Sequence, residues 1–382
     1  MRILHATTFL TGGAGRVLLD LALAQRRAGC ELFVLANETE YPGYQHYGEY
    51  PEALRAVGIE TLFTNSTFKR DFAAQQFAAA ELRAFFRERG GPPDLVHAHA
   101  AVPGLVASMA WAGADALEGG TLAPPPVVMT MHGWGLNKTS EMEAADVAAM
   151  NERFACVVAL NESGSRLLME KGVKSDFIKV VPNGIAREAS RLNKNKKPPR
   201  KEGGFDFLCV GDLGPRKNQI LIAAAMKLLA ERGLKARTTF VGGEERPGYF
   251  EKQMRPAAGT GSIDWRGRRK DAAAIMPEFD AVILSSRSEG FPLVILEAFR
   301  AGVPFFGSNV PEIAEVIHHG QNGFLFPTET PAALADLLEL FLLGQLPDVK
   351  QKARADFLAR YTLKTMVAAY EKLYCEVLRA ST

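Results

Sequence analysis

Short apolar runs alternate with amphipathic stretches along this chain, in two successive sets. In the first set, residues 2–7, 31–36, 94–98, 127–131 and 155–160 read as buried strands, with helical stretches at 16–28, 72–89 and 141–153 between them. In the second, strands are expected at 205–210, 237–241, 281–284 and 304–307, and helices at 217–232, 271–278, 292–301 and 331–343. Strands this short and apolar, separated by helices, imply a parallel sheet with helices on both faces. The fold class is therefore α/β, with two Rossmann-like, doubly wound parallel-sheet domains and a cleft between them. Ligands of such sheets bind beyond the carboxyl ends of the strands.

The break between the sets is compositional. Arg187, Arg191, Lys194, Lys196, Lys197, Arg200 and Lys201, with Pro198 and Pro199, make a polar basic stretch that reads as a linker. The expected divisions are a first domain at 1–183, the linker at 184–203, a second domain at 204–361 and a closing segment at 362–382. That segment carries Met366, Val367, Tyr370, Leu373, Tyr374 and Val377 at helical spacing, suited to packing back on the first domain. A solvated linker is one reading of the basic stretch; contact with anionic lipid, suited to a lipid-linked acceptor, is another.

A net charge of +2 over 382 residues gives no electrostatic case for nucleic acid. Cys156 and Cys209 lie in apolar strand runs, the four cysteines form no Cys-x-x-Cys, and buried reduced thiols in a cytoplasmic protein follow. The start of the chain reads as a first strand rather than a signal peptide, and no run of eighteen apolar residues occurs. Peripheral contact with the inner face of a membrane stays open.

The strand Ala281-Val282-Ile283-Leu284 leads through a turn into a helix expected to open at Pro292. The amides of Phe291, Leu293 and Val294 then stand at the helix mouth, a seat for phosphate. Glu297 projects from the same face one turn deeper, where a carboxylate can take both hydroxyls of a ribose. Glu289 lies in the turn above that seat. The competing reading makes Glu297 a satisfied core carboxylate and Glu289 a simple cap.

Other strand ends carry further candidates. Gly211-Asp212-Leu213-Gly214-Pro215-Arg216-Lys217-Asn218 follows the first strand of the second set, and two adjacent cations there can clamp a diphosphate. Arg268, in the basic turn Arg266-Gly267-Arg268-Arg269-Lys270, is a candidate for flanking a base or a member of a surface patch. In the first set, Gly12-Gly13-Ala14-Gly15 opens a helix after the first strand, either as a close-approach loop with Gly13 near an anion or as a tight turn. His132 follows the 127–131 strand and can donate to an oxygen of a sugar or leaving group, or cap a carbonyl. His97 and His99 share one face, but no third ligand is evident, so structural roles are expected and no metal. The sequence has no P-loop, no Gly-x-Ser-x-Gly elbow and no Asp-x-Asp to hold a metal on a diphosphate.

Together these residues resemble the GT-B fold retaining glycosyltransferases of family 4, the glycosyl transferases group 1. The similarity runs over nearly the whole chain through Gly12-Gly13, His97-Ala98-His99, His132-Gly133, Val181-Pro182-Asn183-Gly184 and Arg216-Lys217-Asn218. It is most specific in Glu289 and Glu297, which continue into Ala298-x-x-Ala301-Gly302-Val303-Pro304. The resemblance implies a UDP- or GDP-linked sugar donor held by the second domain, with Glu297 on the ribose, amides of Phe291 to Val294 on the phosphates and Lys217 neutralising them. Glu289 would touch the donor sugar and His132 would meet it from the first domain. It also implies same-face attack with retention, no metal, and a sugar, lipid-linked or other acceptor in glycan, polysaccharide or glycolipid synthesis.

Two positions depart from the family pattern. Asp212 stands where members often carry Arg, with Arg216 as the candidate replacement, and Gly15 stands where many have Glu. Two other classes compete: an NAD-dependent oxidoreductase, resting on Gly13, Gly15 and Glu38, and a non-catalytic nucleotide-sugar-binding protein, favoured by Asp212. Neither explains the second-half constellation as well. The acceptor is expected to meet the first-half loops at 37–51 and 133–140.

Overall fold

The computed structural model describes every residue except 41–44, 66, 113–123, 135–137, 189–203 and 382. Most of the expected linker, from 189 onward, lies outside the described residues. The chain divides into two compact units, Met1–Gly184 with Leu363–Thr382, and Ile185–Thr362.

The first unit holds a seven-stranded sheet in the order β3-β2-β1-β4-β5-β6-β7. Its strands are β1 (Arg2–Ala6), β2 (Glu31–Asn37), β3 (Glu60–Thr64), β4 (Leu95–Ala98), β5 (Val127–Thr130), β6 (Cys156–Ala159) and β7 (Ile178–Val180). Every pairing is parallel. Alternation decides what each face carries. Leu4, Ala6, Val96, Ala98, Val127 and Met129 point into one apolar core. His5, directly opposite His97 across β1 and β4, points to the other side. The helix Leu363–Ala380 belongs to this unit and buries Met366, Tyr370, Leu373, Tyr374 and Val377.

The second unit holds a six-stranded parallel sheet in the order β10-β9-β8-β11-β12-β13. Its strands are β8 (Phe205–Val210), β9 (Ala236–Val241), β10 (Ser262–Trp265), β11 (Ala281–Leu284), β12 (Phe305–Ser308) and β13 (Phe324–Phe326). In both sheets the winding reverses beside the first strand, between β1 and β4 and between β8 and β11. Connections leave such a point in opposite directions, so a crevice opens at the carboxyl ends. The Gly12-Gly13 turn and His99 flank the first switch point, and residues 211–218 and 285–291 flank the second.

Sequence periodicity did not reveal β3, β7, β10 and β13. These are short strands at or beside the sheet edges, and most mix polar with apolar residues. The helix expected over 271–278 is broken: an α-helical turn, Ala272–Ile275, gives way to a 3-10 turn, Met276–Glu278. Pro277 has no amide to continue the ladder. Burial pushes the Cys156 and Cys209 thiols up to about 12, which keeps both inert. Among the described residues no helix is long and apolar enough to cross a membrane.

Candidate active site

In the second unit the site begins with a locked turn after β8. Asn218 adopts a left-handed conformation, φ 52°, at the start of the helix Gln219–Glu231. Its side-chain amide donates to Thr328 O at 2.9 Å, and Ser285 Oγ donates to the carbonyls of Lys217 and Asn218 at 2.9 and 3.0 Å. Gln219 spans the turn, donating to Asp212 O and accepting from the Gly214 amide. The Arg216-Lys217 pair is thereby held against the end of β11.

Lys217 Nζ donates to Glu289 Oε1 at 2.6 Å, and Arg216 Nη1 approaches Glu289 Oε2 at 3.4 Å. Arg216 also donates to Ser288 O, and Ser286 Oγ donates to Glu289 Oε1 at 2.5 Å. The Glu289 side chain is 7% exposed and that of Lys217 16%, so little water screens the pair. An ammonium has three donors, so one bond to Glu289 leaves capacity for a phosphate oxygen. The backbone amide of Glu289 in turn leans on the Glu312 carboxylate, whose pKa burial raises.

The helix expected from Pro292 runs Leu293–Ala301, with Pro292 itself as the extended cap, φ −75° and ψ 108°. The shift moves the first helical amides to Leu293 and Val294, which keeps both in the opening turn that helices leave without intrahelical acceptors. The Phe291 side chain packs on Tyr361, with ring centroids 5.8 Å apart. Glu297 is half-buried rather than sealed in the core, three residues past Val294 on the same helix.

Asp212 is not idle. Its Oδ1 accepts from the Gly243 amide at 2.6 Å, and Arg268 Nη2 lies 3.2 Å from Oδ2. This pins the end of β8 to the end of β9 and sets the Arg268 guanidinium above both. The two strand ends touch closely enough that a Cβ on Gly242 would fall 2.1 Å from Gly211 O.

In the first unit the buried polar face of the sheet carries a continuous chain of side chains. His132 Nε2 meets His99 Nδ1 at 2.9 Å, His99 Nε2 meets His5 Nδ1 at 3.1 Å, and His5 Nε2 meets Gln25 Oε1 at 2.8 Å. Gln25 Nε2 donates to Tyr374 OH at 3.4 Å, Tyr374 OH meets His97 Nδ1 at 2.7 Å, and His97 Nε2 meets Thr130 Oγ1 at 2.7 Å. Burial lowers the pKa of all four imidazoles, to about 4 for His5 and His132 and well below the ordinary value for His97 and His99. His132 alone keeps part of its surface exposed, and the others are buried. His5 supplies, in space, the third histidine that the sequence did not reveal beside His97 and His99. Both ring nitrogens of His5 and His97 are nevertheless spent on hydrogen bonds, so the cluster fits a hydrogen-bonded network better than a metal.

The neighbouring turn places Gly12 and Gly13 at the start of the helix Gly12–Arg27. Gly15 has a packing reason of its own: a Cβ there would lie 2.9 Å from the Leu10 backbone. Within this unit a cavity of about 490 Å³ is lined by Arg70, Phe72, Val102, Leu105, Met142 and Asp146 among others. Arg70 and Lys138 both pair with Asp146, at 2.5 and 2.8 Å.

Two family patterns cover almost all of this framework: Glycosyltransferase Family 4 over residues 11–189 and Glycosyl transferases group 1 over 190–357. The chain belongs to this glycosyltransferase family. It is 30% identical to the Escherichia coli UDP-Gal:alpha-D-GlcNAc-diphosphoundecaprenol alpha-1,3-galactosyltransferase over 61% of this chain, and spans 62% of that relative's length. It is 28% identical to a Mycobacterium tuberculosis glycogen synthase over 85% of this chain and 81% of the relative. In three dimensions it is similar to Anabaena HepE solved with UDP and glucose, at TM-score 0.79 and 18% identity, covering 98% of this chain and 100% of that one. The likeness establishes the GT-B fold.

For a glycosyltransferase of this family, the oxidoreductase reading is not favoured. Glu38, its supporting acid, is exposed at the end of β2. Arg216, Lys217 and Glu289 come together as one cluster, with Leu293 and Val294 on the helix that follows. Arg268 stands at the ends of β8 and β9, tied to Asp212. Sequence reasoning missed Ser286, Gln219, His5 and Gln25. Two serines directly after an apolar strand, and a histidine inside one, were the signals available.

Proposed function

We propose that this glycosyltransferase moves a sugar from a UDP-linked donor to a sugar or lipid-linked acceptor with retention of anomeric configuration and without a metal. The observation that carries the reading is the largely water-shielded Lys217–Glu289 pair, flanked by Arg216 and followed by the mouth of the helix Leu293–Ala301. Cations and helix amides converge where a diphosphate leaving group needs stabilisation, so bound protein dipoles and charges can replace a metal there. Glu297 is assigned to the ribose, Glu289 and His132 to the donor sugar.

In this reading the bond between the anomeric carbon and the phosphate oxygen breaks as the acceptor oxygen bonds to that carbon on the same face. The acceptor proton passes to the departing phosphate oxygen, and UDP leaves. Arg216, Lys217 and the amides of Leu293 and Val294 hold the charge that develops on the phosphates. The first unit's cavity, with Phe72, Val102, Leu105 and Met142 on its wall, suits the apolar part of an acceptor. The UDP-sugar and polyprenyl-diphosphate substrates in the E. coli relative's name support a UDP donor and a lipid-linked acceptor, and with that acceptor a peripheral station at the inner membrane face.

A panel of UDP-, GDP- and ADP-sugars and NADH in a thermal-shift assay, with EDTA and with added divalent cation, tests donor and metal together. UDP-sugars should stabilise the protein equally in both conditions. Stabilisation only by NADH, or only with added divalent cation, would overturn the reading. The anomeric proton coupling of the product, read by NMR before mutarotation, decides retention.

A further inference from the structure

The hydrogen bonds inside the first unit have a direction. A carbonyl oxygen can only accept, so the contact of His5 Nε2 with Gln25 Oε1 at 2.8 Å puts a proton on His5 Nε2. A neutral imidazole carries one N–H, which leaves His5 Nδ1 bare. It must accept from His99 Nε2, 3.1 Å away, and His99 Nδ1 is then bare. That nitrogen accepts in turn from His132 Nε2 at 2.9 Å, and His132 is left with an unprotonated Nδ1. On the other arm the Gln25 amino group donates to Tyr374 OH, and that hydroxyl meets His97 Nδ1, whose ring reaches Thr130 Oγ1 through Nε2. One amide fixes every proton along the arm that ends at His132.

We propose that Gln25 is a positioning residue that sets the tautomer of His132 through His5 and His99, holding its proton on Nε2 and leaving Nδ1 as a hydrogen-bond acceptor for a hydroxyl of the ligand. The role of Nδ1 rests on the reading of this protein as a sugar transferase; the tautomer does not. The sequence suggested a His132 that donates to an oxygen. The chain makes it accept instead, so at this position it selects a substrate carrying a free hydroxyl. The low pKa values of the buried rings agree with a chain of neutral imidazoles.

The test uses the full-length protein without ligand, labelled with ¹⁵N-histidine, and two-bond ¹H–¹⁵N correlation spectra at pH 7. His5, His99 and His132 should each give a pyrrole-type Nε2 and a pyridine-type Nδ1. A protonated Nδ1 on His132, or averaged nitrogens on all three rings in the wild type, overturns the proposal. Gln25→Met should convert the three rings to averaged tautomers. It should also lower kcat by about 3- to 10-fold, the worth of one neutral hydrogen bond, with little change in donor KM. Gln25→Asn, whose amide is too short to reach His5, should do the same and guards against a fold defect specific to methionine. An unchanged His132 spectrum in either folded variant also overturns it. If no sugar is transferred under any condition, the function fails while the spectra still decide the tautomer.

Discussion

Lys217 Nζ lies 2.6 Å from Glu289 Oε1, an ion pair between residues that leave the ends of two adjacent central strands, β8 and β11. The switch in winding at that point brings together turns that are far apart in sequence, and Ser286 and Arg216 complete the acid's coordination. Among the described residues each charge is compensated by the other and by these neighbours, so the pair should behave as a unit.

Glu289→Ala should therefore destabilise the protein by roughly 3 kcal/mol, because it strands the Lys217 ammonium in a poorly hydrated site. The double variant Lys217→Met, Glu289→Ala should lose markedly less stability than the sum of the losses in the two single variants. Urea denaturation of all four proteins measures the coupling; additive effects would mean that the pair is not an energetic unit. Sugar transfer should be lost in every variant.

Glu297→Ala should weaken UDP binding roughly 30- to 150-fold, the worth of about 2–3 kcal/mol for a charged acceptor engaged by two hydroxyls. UDP carrying 2′-deoxyribose should bind the wild type less tightly but show a much smaller difference on the variant. Calorimetry with both nucleotides checks the assignment, and an equal loss for both would move the ribose elsewhere.

Arg268 separates a structural role from a ligand role. Its pairing with Asp212 is half in solvent, 53% and 40% exposed, and such pairs contribute about 0–1 kcal/mol. Arg268→Ala should leave the melting temperature nearly unchanged. A several-fold rise in donor KM on that background would assign the guanidinium to the nucleotide, whereas unchanged kinetics would leave it as a surface partner of Asp212.

The strand ends and their glycines were legible because apolar runs, turn residues and the rule for parallel sheets fix where loops emerge. Glu289, Lys217 and Glu297 could be singled out on that basis. Their mutual contact could not, since it depends on β8 lying beside β11, a matter of strand order rather than local pattern. The histidine chain was hidden for a similar reason. His5 faces His97 only once β1 pairs with β4 in that register, and a one-residue slip would turn it to the apolar core. Gln25 reads as an unremarkable polar position in an amphipathic helix, and only burial beside Tyr374 gives it a function. Asp212 looked like a lost charge; in three dimensions it is the clasp between two strand ends.

The buried imidazoles make stability depend on pH with a definite sign. His5 and His132 titrate near 4 in the folded protein against about 6.5 when unfolded, so between these values the unfolded chain binds more protons. Their contribution is fully present above about pH 6.5 and is lost as the pH falls toward 4. For His5, which is fully buried, the loss is on the order of 3 kcal/mol. Urea midpoints measured from pH 7.5 to 4.5 should fall steadily below 6.5, and a flat profile down to pH 5 would contradict the burial of these rings.

Gly242→Ala probes the donor side by geometry rather than charge. Its Cβ would sit 2.1 Å from Gly211 O and 2.8 Å from Asp212 N, both backbone atoms that no rotamer change can move. The ends of β8 and β9 must separate, at a cost of about 1–3 kcal/mol. Because Lys217 lies against Gly211, with its Cε 3.6 Å from where a Gly211 Cβ would stand, the shift should reach the Lys217–Glu289 pair. The expected result is a folded protein that has lost UDP binding while the ¹⁵N spectrum of His5, His99 and His132 is unchanged. Parallel loss of both would mean that the substitution unfolds the chain rather than displacing one turn.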